Sequence, residues 1–202
     1  MSRATWKFDD ETYEFIKGEV TFILERYTIK CIPVSGFEIA SKMGIPIIPY
    51  SSLQPKVRET LEEVDPDGFV AASGVDERIY YNDVGRSYER QNMTILHELG
   101  HIVLGHRGVN VHREEDEADF FAKYAIAPPV LVDRIKAQYP DDIYQVFDIS
   151  REASVYAFDY YMAWKNHHES SNEYTSYEIK QLDLLNKQLG MKEQDYEKKR
   201  IV

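Results

Sequence analysis

The strongest constraint on this chain is an apolar run, residues 93–104, that contains two histidines and a glutamate. Most of the remaining positions are leucine, isoleucine, valine or methionine, a pattern that favours a buried helix. His97 and His101 are four residues apart, so both rings would lie on one helix face, about 6 Å from each other. Imidazoles buried among aliphatic side chains need polar partners. A shared metal ion would satisfy both rings, which makes this helix a candidate metal site.

Glu98 completes the pattern H-E-x-x-H. It lies about 100° further round the helix than His97, beside the two rings without joining them. A carboxylate in that position can accept a proton from a water held by the metal, as a general base for peptide hydrolysis must. The motif fixes only three positions and also occurs by chance on unrelated helices. A structural helix without a metal is therefore the alternative.

A third ligand is expected from the acidic segment that follows, residues 114–122. Carboxylates in a first helical turn complement the helix dipole, which is already a structural reason for them. Glu115 shares a face with small side chains that would let its helix approach another closely, namely Ala118, Ala122 and Ala125. Spacing alone leaves Glu114 as an alternative ligand.

Asp119 favours Glu115 over that alternative. It lies one turn beyond Glu115, where it could accept a hydrogen bond from the free ring nitrogen of a ligating histidine. Metal-bound imidazoles nearly always have such a partner. We therefore predict His97, His101 and Glu115 as metal ligands, with Asp119 as a hydrogen-bond partner of a ligand.

The rest of the chain predicts a mostly helical α+β fold with a small antiparallel β-sheet next to the H-E-x-x-H helix. Apolar residues at helical spacing indicate helices before and after the sheet. The expected organisation is one domain, 1–165, followed by a polar linker and a charged C-terminal helix in 166–202. Within the domain we expect N-terminal helices in 1–44, the sheet in 45–82, the active-site and ligand helices in 88–128, and C-terminal helices in 129–165.

Two strands are expected at residues 69–73 and 78–82, joined by a short turn. The segment 45–50 contains Pro46 and Pro49, which restrict it to an edge strand or an extended connection. If residues 79–81 lie at the sheet edge, they could bind a substrate peptide by main-chain pairing.

Composition narrows the class of partner and the compartment. The formal net charge of -11 argues against direct nucleic-acid binding and suits a partner that carries positive charge. No segment approaches the roughly 18 uninterrupted apolar residues of a membrane span, so no membrane association is expected. Cys31, the single cysteine, cannot form an intrachain disulfide and is expected to be a small core residue. The sequence opens without a secretory apolar run, so we expect a cytoplasmic protein.

Three segments together resemble the ImmA/IrrE family of metallo-endopeptidases: residues 80–82, residues 90–101 with H-E-x-x-H, and residues 115–122, which fit E-x-E-A-[ND]-x-F-A and precede Pro128. The resemblance covers roughly residues 37–158, and the two motifs together are far more specific than either one. Ala125–Pro128 stands where the family often has Leu-Leu-Met-Pro, and Ala157 where it often has arginine. The second departure puts in doubt a role of that region in substrate binding.

The resemblance implies a zinc-dependent protease with one Zn²⁺ per chain and Glu98 as its base. It also implies a protein substrate, a DNA-binding repressor or regulator of phages, mobile elements or stress responses, whose cleavage relieves repression. The alternative function is a regulator that binds a partner and uses zinc only for structure.

Overall fold

The structure, a computed structural model, describes residues 8–73, 76–171 and 173–185. In this part of the chain the predicted α+β, mostly helical fold is confirmed. None of the described helices combines the length and the hydrophobicity of a membrane span. The elements, in chain order, are α1 (Asp10–Arg26), α2 (Gly36–Met43), β1 (Ile47–Pro49), a 3₁₀ turn (Tyr50–Ser52), α3 (Pro55–Val64), β2 (Gly68–Ser73), β3 (Asp76–Tyr81), α4 (Tyr88–Leu104), α5 (Val111–Ile126), α6 (Pro129–Arg134), α7 (Pro140–Phe147), α8 (Arg151–Ser171) and α9 (Ser176–Leu185).

The chain divides into two compact units. Residues up to Val34 and from Lys123 onward belong to the first unit, and Ser35–Ala122 form the second. In the first unit α1 begins at Asp9, whose carboxylate accepts the Thr12 N–H at 2.8 Å. Gln181 of α9 donates to the Thr21 hydroxyl of α1 at 2.8 Å, which ties these two helices together.

Two expectations for the first unit need correction. Cys31 is exposed, so it is not the core residue that we expected, because the turn after α1 leaves it at the surface. Helix α8 continues to Ser171, into the segment predicted as a polar linker. The expected C-terminal helix is described only as α9, and residues 186–202 lie outside the described part of the chain. The division at residue 165 stays a prediction.

The second unit contains a three-stranded sheet in the order β1-β3-β2. The pairing of β2 with β3 is antiparallel, as predicted, with Gly68 opposite Tyr81. Strand β1, however, runs parallel to β3, so the sheet is mixed and not purely antiparallel. The reason is the connection: the chain leaves β1 through α3, runs along β2 and turns back, so that β3 points the same way as β1.

The position of β3 also corrects an expectation about peptide binding. Residues 79–81 lie in the central strand and are paired on both sides, so they cannot add a substrate strand. Among the described strands, β2 and β1 form the two edges.

Helix α4 is the centre of the second unit, and its neighbours approach it through glycines. Ile95, Leu96 and Leu99 of α4 are fully buried. A Cβ atom at Gly68, the first residue of β2, would lie 2.6 Å from the Tyr80 carbonyl oxygen and 2.8 Å from Thr94 Cγ2 of α4. Glycine is therefore required where β2 passes between β3 and α4.

Alanine at Gly68 should destabilise the protein, whereas alanine at Gly18 should not. We expect Gly68→Ala to lower the free energy of unfolding by about 1–3 kcal/mol, the usual cost of overpacking. No atom lies within 4 Å of a Cβ placed at Gly18, inside α1, so Gly18→Ala should raise the same free energy by about 0.5–1 kcal/mol. Urea denaturation of the two variants and the parent checks this, and equal midpoints for all three would contradict it.

Candidate metal centre

The candidate centre lies within the second unit, on the face of α4 opposite its buried leucines. The Ser87 hydroxyl accepts the Arg90 N–H at the start of α4, and Gly105, with φ 70°, ends the helix. Both ends therefore have ordinary capping residues. Between them, His97 and His101 project from one face, as their spacing predicts.

Three side chains converge on one point. The Nε2 atoms of His97 and His101 are 3.1 Å apart. Glu115 Oε2 lies 3.2 Å from His97 Nε2, and Glu115 Oε1 lies 3.5 Å from His101 Nε2. The structure thus brings together two imidazole nitrogens and one carboxylate from two different helices. These three residues form a group that could hold a metal ion.

The spacing of these atoms fits zinc. Ligand atoms about 2.0–2.1 Å from a tetrahedral zinc ion lie about 3.3–3.4 Å from each other. The two histidine nitrogens are 3.1 Å apart, and each has a Glu115 oxygen at a similar distance: Oε2 lies 3.2 Å from His97 and Oε1 lies 3.5 Å from His101. Two histidines and one carboxylate are also a donor set that zinc enzymes use, with a fourth position left for water.

The approach of α5 to α4 depends on small residues at their crossing. A Cβ atom at Gly100 would lie 3.1 Å from the Cα atom of Ala118 and 3.2 Å from Phe121 Cβ. Ala118 and Ala122 are fully buried, so the predicted small-residue face of α5 does pack against protein. This close contact allows Glu115, less than one turn before Ala118, to reach the two histidines.

Glu114, the alternative ligand, is engaged elsewhere. Its carboxylate accepts the N–H groups of Gly108 at 2.7 Å and Val109 at 3.1 Å in the loop before α5. It therefore orders the turn that leads into the helix. The structure brings Glu115, and not Glu114, to the histidines.

Asp119 lies where the sequence places it, one turn beyond Glu115. Its Oδ1 atom is 3.3 Å from His97 Nδ1, the ring nitrogen that faces away from His101. Burial alone would lower the pKa of His97, but the hydrogen bond to Asp119 and the neighbouring carboxylates hold it above its usual value. For His101, burial and the nearby His97 ring lower the pKa instead.

Glu98 is almost completely buried, with 6% of its surface exposed. Burial, reinforced by the charges of Asp65 and Glu115, raises its pKa to about 8, although His97 and the main-chain N–H of Val70 act in the opposite direction. A carboxyl group with a pKa moved this far, beside a possible metal site, has the properties of a catalytic acid or base.

A cleft of about 600 Å³ opens onto these side chains. Carboxylates dominate its charged lining, because Asp65 and Asp67 join Glu98, Glu115 and Asp119 there. Arg90 is the arginine of this lining, and it is paired with Asp67 through two hydrogen bonds of 2.9 Å. Burial first, and then the neighbouring charges of Asp67 and Glu115, raise the pKa of Asp65. The cleft is therefore strongly acidic without a metal.

Sequence reasoning missed several parts of this site. Asp65 and Asp67 have the residue types of a turn, together with Pro66 and Gly68, yet both line the cleft. His106 follows the glycine that ends α4, and its ring contacts His101 at 2.9 Å. Gly105 was the available signal, because a glycine that ends a helix directs the next residues back over the last turn.

A larger side chain at Gly100 should weaken metal binding. We expect Gly100→Val to separate α4 from α5 and to lower zinc affinity at least about tenfold. Losing a hydrogen-bond partner of a metal ligand commonly costs about 10- to 100-fold in affinity, and moving a ligand should cost at least as much. Chelator competition with the purified protein measures this. Gly18→Val, whose Cβ meets no atom within 4 Å, is the matched control. Unchanged affinity in Gly100→Val would contradict the role given to the helix crossing.

Comparison with known proteins agrees with this geometry. Residues 42–159 match the peptidase M78 family model, which is described as the IrrE N-terminal-like domain. The match covers more than half of the 202 residues and includes His97, Glu98, His101, Glu115 and Asp119. No curated protein matches the sequence. The family supports a metallopeptidase-type role, and the resemblance seen in the sequence is confirmed: this chain belongs to the ImmA/IrrE family, through its IrrE N-terminal-like domain.

Proposed function

We propose that this protein is a zinc-dependent endopeptidase that hydrolyses a peptide bond in a specific protein. One observation carries the proposal: His97 Nε2 and His101 Nε2 lie 3.1 Å apart, and the two oxygens of the Glu115 carboxylate approach them to 3.2 and 3.5 Å, beside Glu98 at an open cleft. A structural zinc site is normally closed by four protein ligands, whereas a catalytic site keeps one position for water or substrate. Three ligands at a cleft favour the catalytic reading.

The proposed chemistry divides between the metal and Glu98. When bound, zinc supplies a positive charge that acidifies a water molecule and polarises the substrate carbonyl. Glu98 accepts the proton of the attacking water and transfers it to the leaving amine. His97, His101 and Glu115 hold the ion, while Asp119 keeps the His97 ring oriented.

The burial of Glu98 suits both halves of this proton transfer. Its raised pKa, about 8 by burial, means that the carboxylate binds a proton readily. A positive charge close by favours its ionised form, just as a nearby cation does for any carboxylate. In the zinc-loaded protein Glu98 would therefore start ionised, as a base. Because it is buried, it would also hold the proton that it accepts until the proton passes to the leaving amine.

Strand β2 offers a main-chain surface to an extended substrate. The Asn82 N–H donates to the Asp67 carbonyl at 2.8 Å. Asp67 and Asn82 are therefore a hydrogen-bonded pair, and the next pair along the ladder is Gly68 with Tyr81. Hydrogen-bonded and non-hydrogen-bonded pairs alternate in an antiparallel ladder. The main-chain groups of Gly68, Val70 and Ala72 therefore point away from β3. Consistent with this, the Val70 N–H reaches Glu98. A peptide that pairs with this edge would lie next to the proposed base.

The proposed substrate is a DNA-binding repressor or regulator in the cytoplasm. A surface that binds DNA carries positive charge. The net charge of -11 and the carboxylate-lined cleft would attract such a partner, and they make direct binding of this chain to nucleic acid or to an anionic membrane unfavourable. The rival function, a regulator with a purely structural zinc, would share this attraction but cleave nothing.

Replacing Glu98 with glutamine separates these two functions. We expect Glu98→Gln to retain one zinc ion per chain and to lose cleavage of a candidate repressor, chosen from the products of neighbouring genes, by about 10²–10⁴-fold, the usual contribution of a general base. Elemental analysis gives the zinc content, and electrophoresis with mass spectrometry gives the cleavage rate. Removing zinc with a chelator should abolish cleavage, and adding zinc should restore it.

Glu63→Gln is the matched control, because Glu63 is an exposed glutamate on α3 that lies outside the cleft lining. It should cleave at the parent rate. Full activity in Glu98→Gln would reject Glu98 as the base. Zinc-loaded parent protein that binds the repressor without cleaving it would favour the regulatory function.

Proline at Ala72 tests the edge strand. The N–H of Ala72 points away from β3, so Ala72→Pro should remove a donor from the sheet edge without breaking the β2–β3 hydrogen bonds. We expect KM for the protein substrate to rise by about fivefold to tenfold, the equivalent of one hydrogen bond, while zinc content stays unchanged. Ala72→Val keeps the N–H and serves as the control for side-chain size. Equal KM values for the two variants would argue against pairing at this edge.

A further inference from the structure

A second histidine cluster adjoins the candidate metal centre on the side away from Glu115. His106 Nδ1 lies 2.9 Å from His101 Nδ1, and His106 Nε2 lies 3.1 Å from Glu117 Oε2. Arg113 Nε donates to the other oxygen of Glu117 at 2.7 Å. The side chains of His106 and Glu117 are only 7% and 15% exposed, so this chain of contacts is largely shielded from water.

The end of α4 places His106 against His101. The N–H of Gly105 donates to the Ile102 carbonyl, and the N–H of His106 donates to the carbonyl of His101. These two bonds form a Schellman motif, in which a glycine in the left-handed region turns the chain back over the last helical turn. The His106 ring is thereby fixed over the far nitrogen of His101 and does not join the three ligand atoms.

The order of donors and acceptors in this chain of contacts follows from one requirement. A neutral imidazole has one donor and one acceptor nitrogen. If His101 offers the lone pair of Nε2 to a metal, its proton must be on Nδ1, and the group that faces Nδ1 is His106 Nδ1. His106 must then accept at Nδ1 and carry its own proton on Nε2.

Glu117 selects that form of His106. An ionised carboxylate only accepts hydrogen bonds, so it holds the proton of His106 on the nitrogen that faces it. Arg113 fixes the orientation of the carboxylate by donating to its second oxygen. The result is a directed series of donations from His101 to His106, from His106 to Glu117, and from Arg113 to Glu117.

We propose that His106 and Glu117 are positioning residues that set the tautomer and the ring orientation of His101, so that its Nε2 lone pair points at the metal. This inference rests on the proposed zinc site. The two histidine ligands then have different supports: His97 donates directly to the carboxylate of Asp119, whereas His101 reaches a carboxylate through a second ring. Such partners of ligating histidines control metal affinity.

Nearly isosteric changes test this directly. In Glu117→Gln, one of the two oxygens that face the donors of His106 and Arg113 becomes an amide donor. We expect about a tenfold loss of zinc affinity in Glu117→Gln and in His106→Phe, measured by chelator competition. His106→Asn, whose side-chain oxygen can still accept from His101 Nδ1, should recover affinity to within about threefold of the parent, by the same principle. Glu63→Gln is the control for losing a carboxylate charge.

Two spectroscopic measurements separate positioning from a general loss of stability. Nitrogen-15 NMR of the zinc-loaded parent should show His106 as the tautomer protonated on Nε2, and cobalt(II) absorption spectra of the variants should differ from that of the parent. Protonation of His106 on Nδ1, or full zinc affinity in both Glu117→Gln and His106→Phe, would overturn this inference but not the proposed function. A parent protein that binds no zinc would overturn the proposed function as well.

Discussion

The contact between α4 and α5 at Gly100 and Ala118 is the constraint on which the candidate centre depends. Two histidines on one helix face cannot complete a metal site by themselves, because both project in the same direction. The third donor must come from elsewhere, and a carboxylate on a crossing helix reaches the rings only if the two backbones approach closely. The missing side chain at Gly100 permits that approach, since even a single carbon there would lie 3.1 Å from the Cα atom of Ala118.

The same approach concentrates negative charge. Asp65, Glu98, Glu115 and Asp119 all line one cleft, where burial and, after it, the charges of neighbouring carboxylates raise the pKa values of Asp65 and Glu98. Carboxylates packed in this way favour protonation or a cation. A divalent ion would relieve the repulsion, so metal binding and the stability of the second unit are expected to be coupled. An acidic lining is therefore, like the set of ligand residues, a feature expected of a metal site.

Much of this arrangement could be predicted from local sequence. The spacing of His97 and His101 determines that they share a face, and the alanines of α5 indicate its packing face, which buries Ala118 and Ala122 as expected. Those predictions succeed because helical periodicity is a property of neighbouring residues. Ser35 and Gly44 likewise mark both ends of α2, where the structure has its caps.

Features that depend on long-range geometry could not be predicted in this way. The parallel pairing of β1 with β3 arises from the path through α3, and the central position of β3 follows from that pairing. Asp65 and Asp67 have the composition of a turn, and only the packing of β2 against α4 brings them to the cleft. Asp119 was enough to favour Glu115 over Glu114, but the interaction of Glu114 with the main-chain donors of the loop 107–110 could not be predicted.

The two units differ in how far apart in sequence their parts lie. The first unit is closed by pairs such as Thr21 and Gln181, which are 160 positions apart, whereas His97 and Glu115 are separated by 18. A ribosome delivers the chain from its N-terminus at about 5–20 residues per second. The whole of Ser35–Ala122 therefore emerges seconds before α9, the partner of α1, has been translated. The residues of the candidate metal centre can therefore come together before α1 has its partner α9.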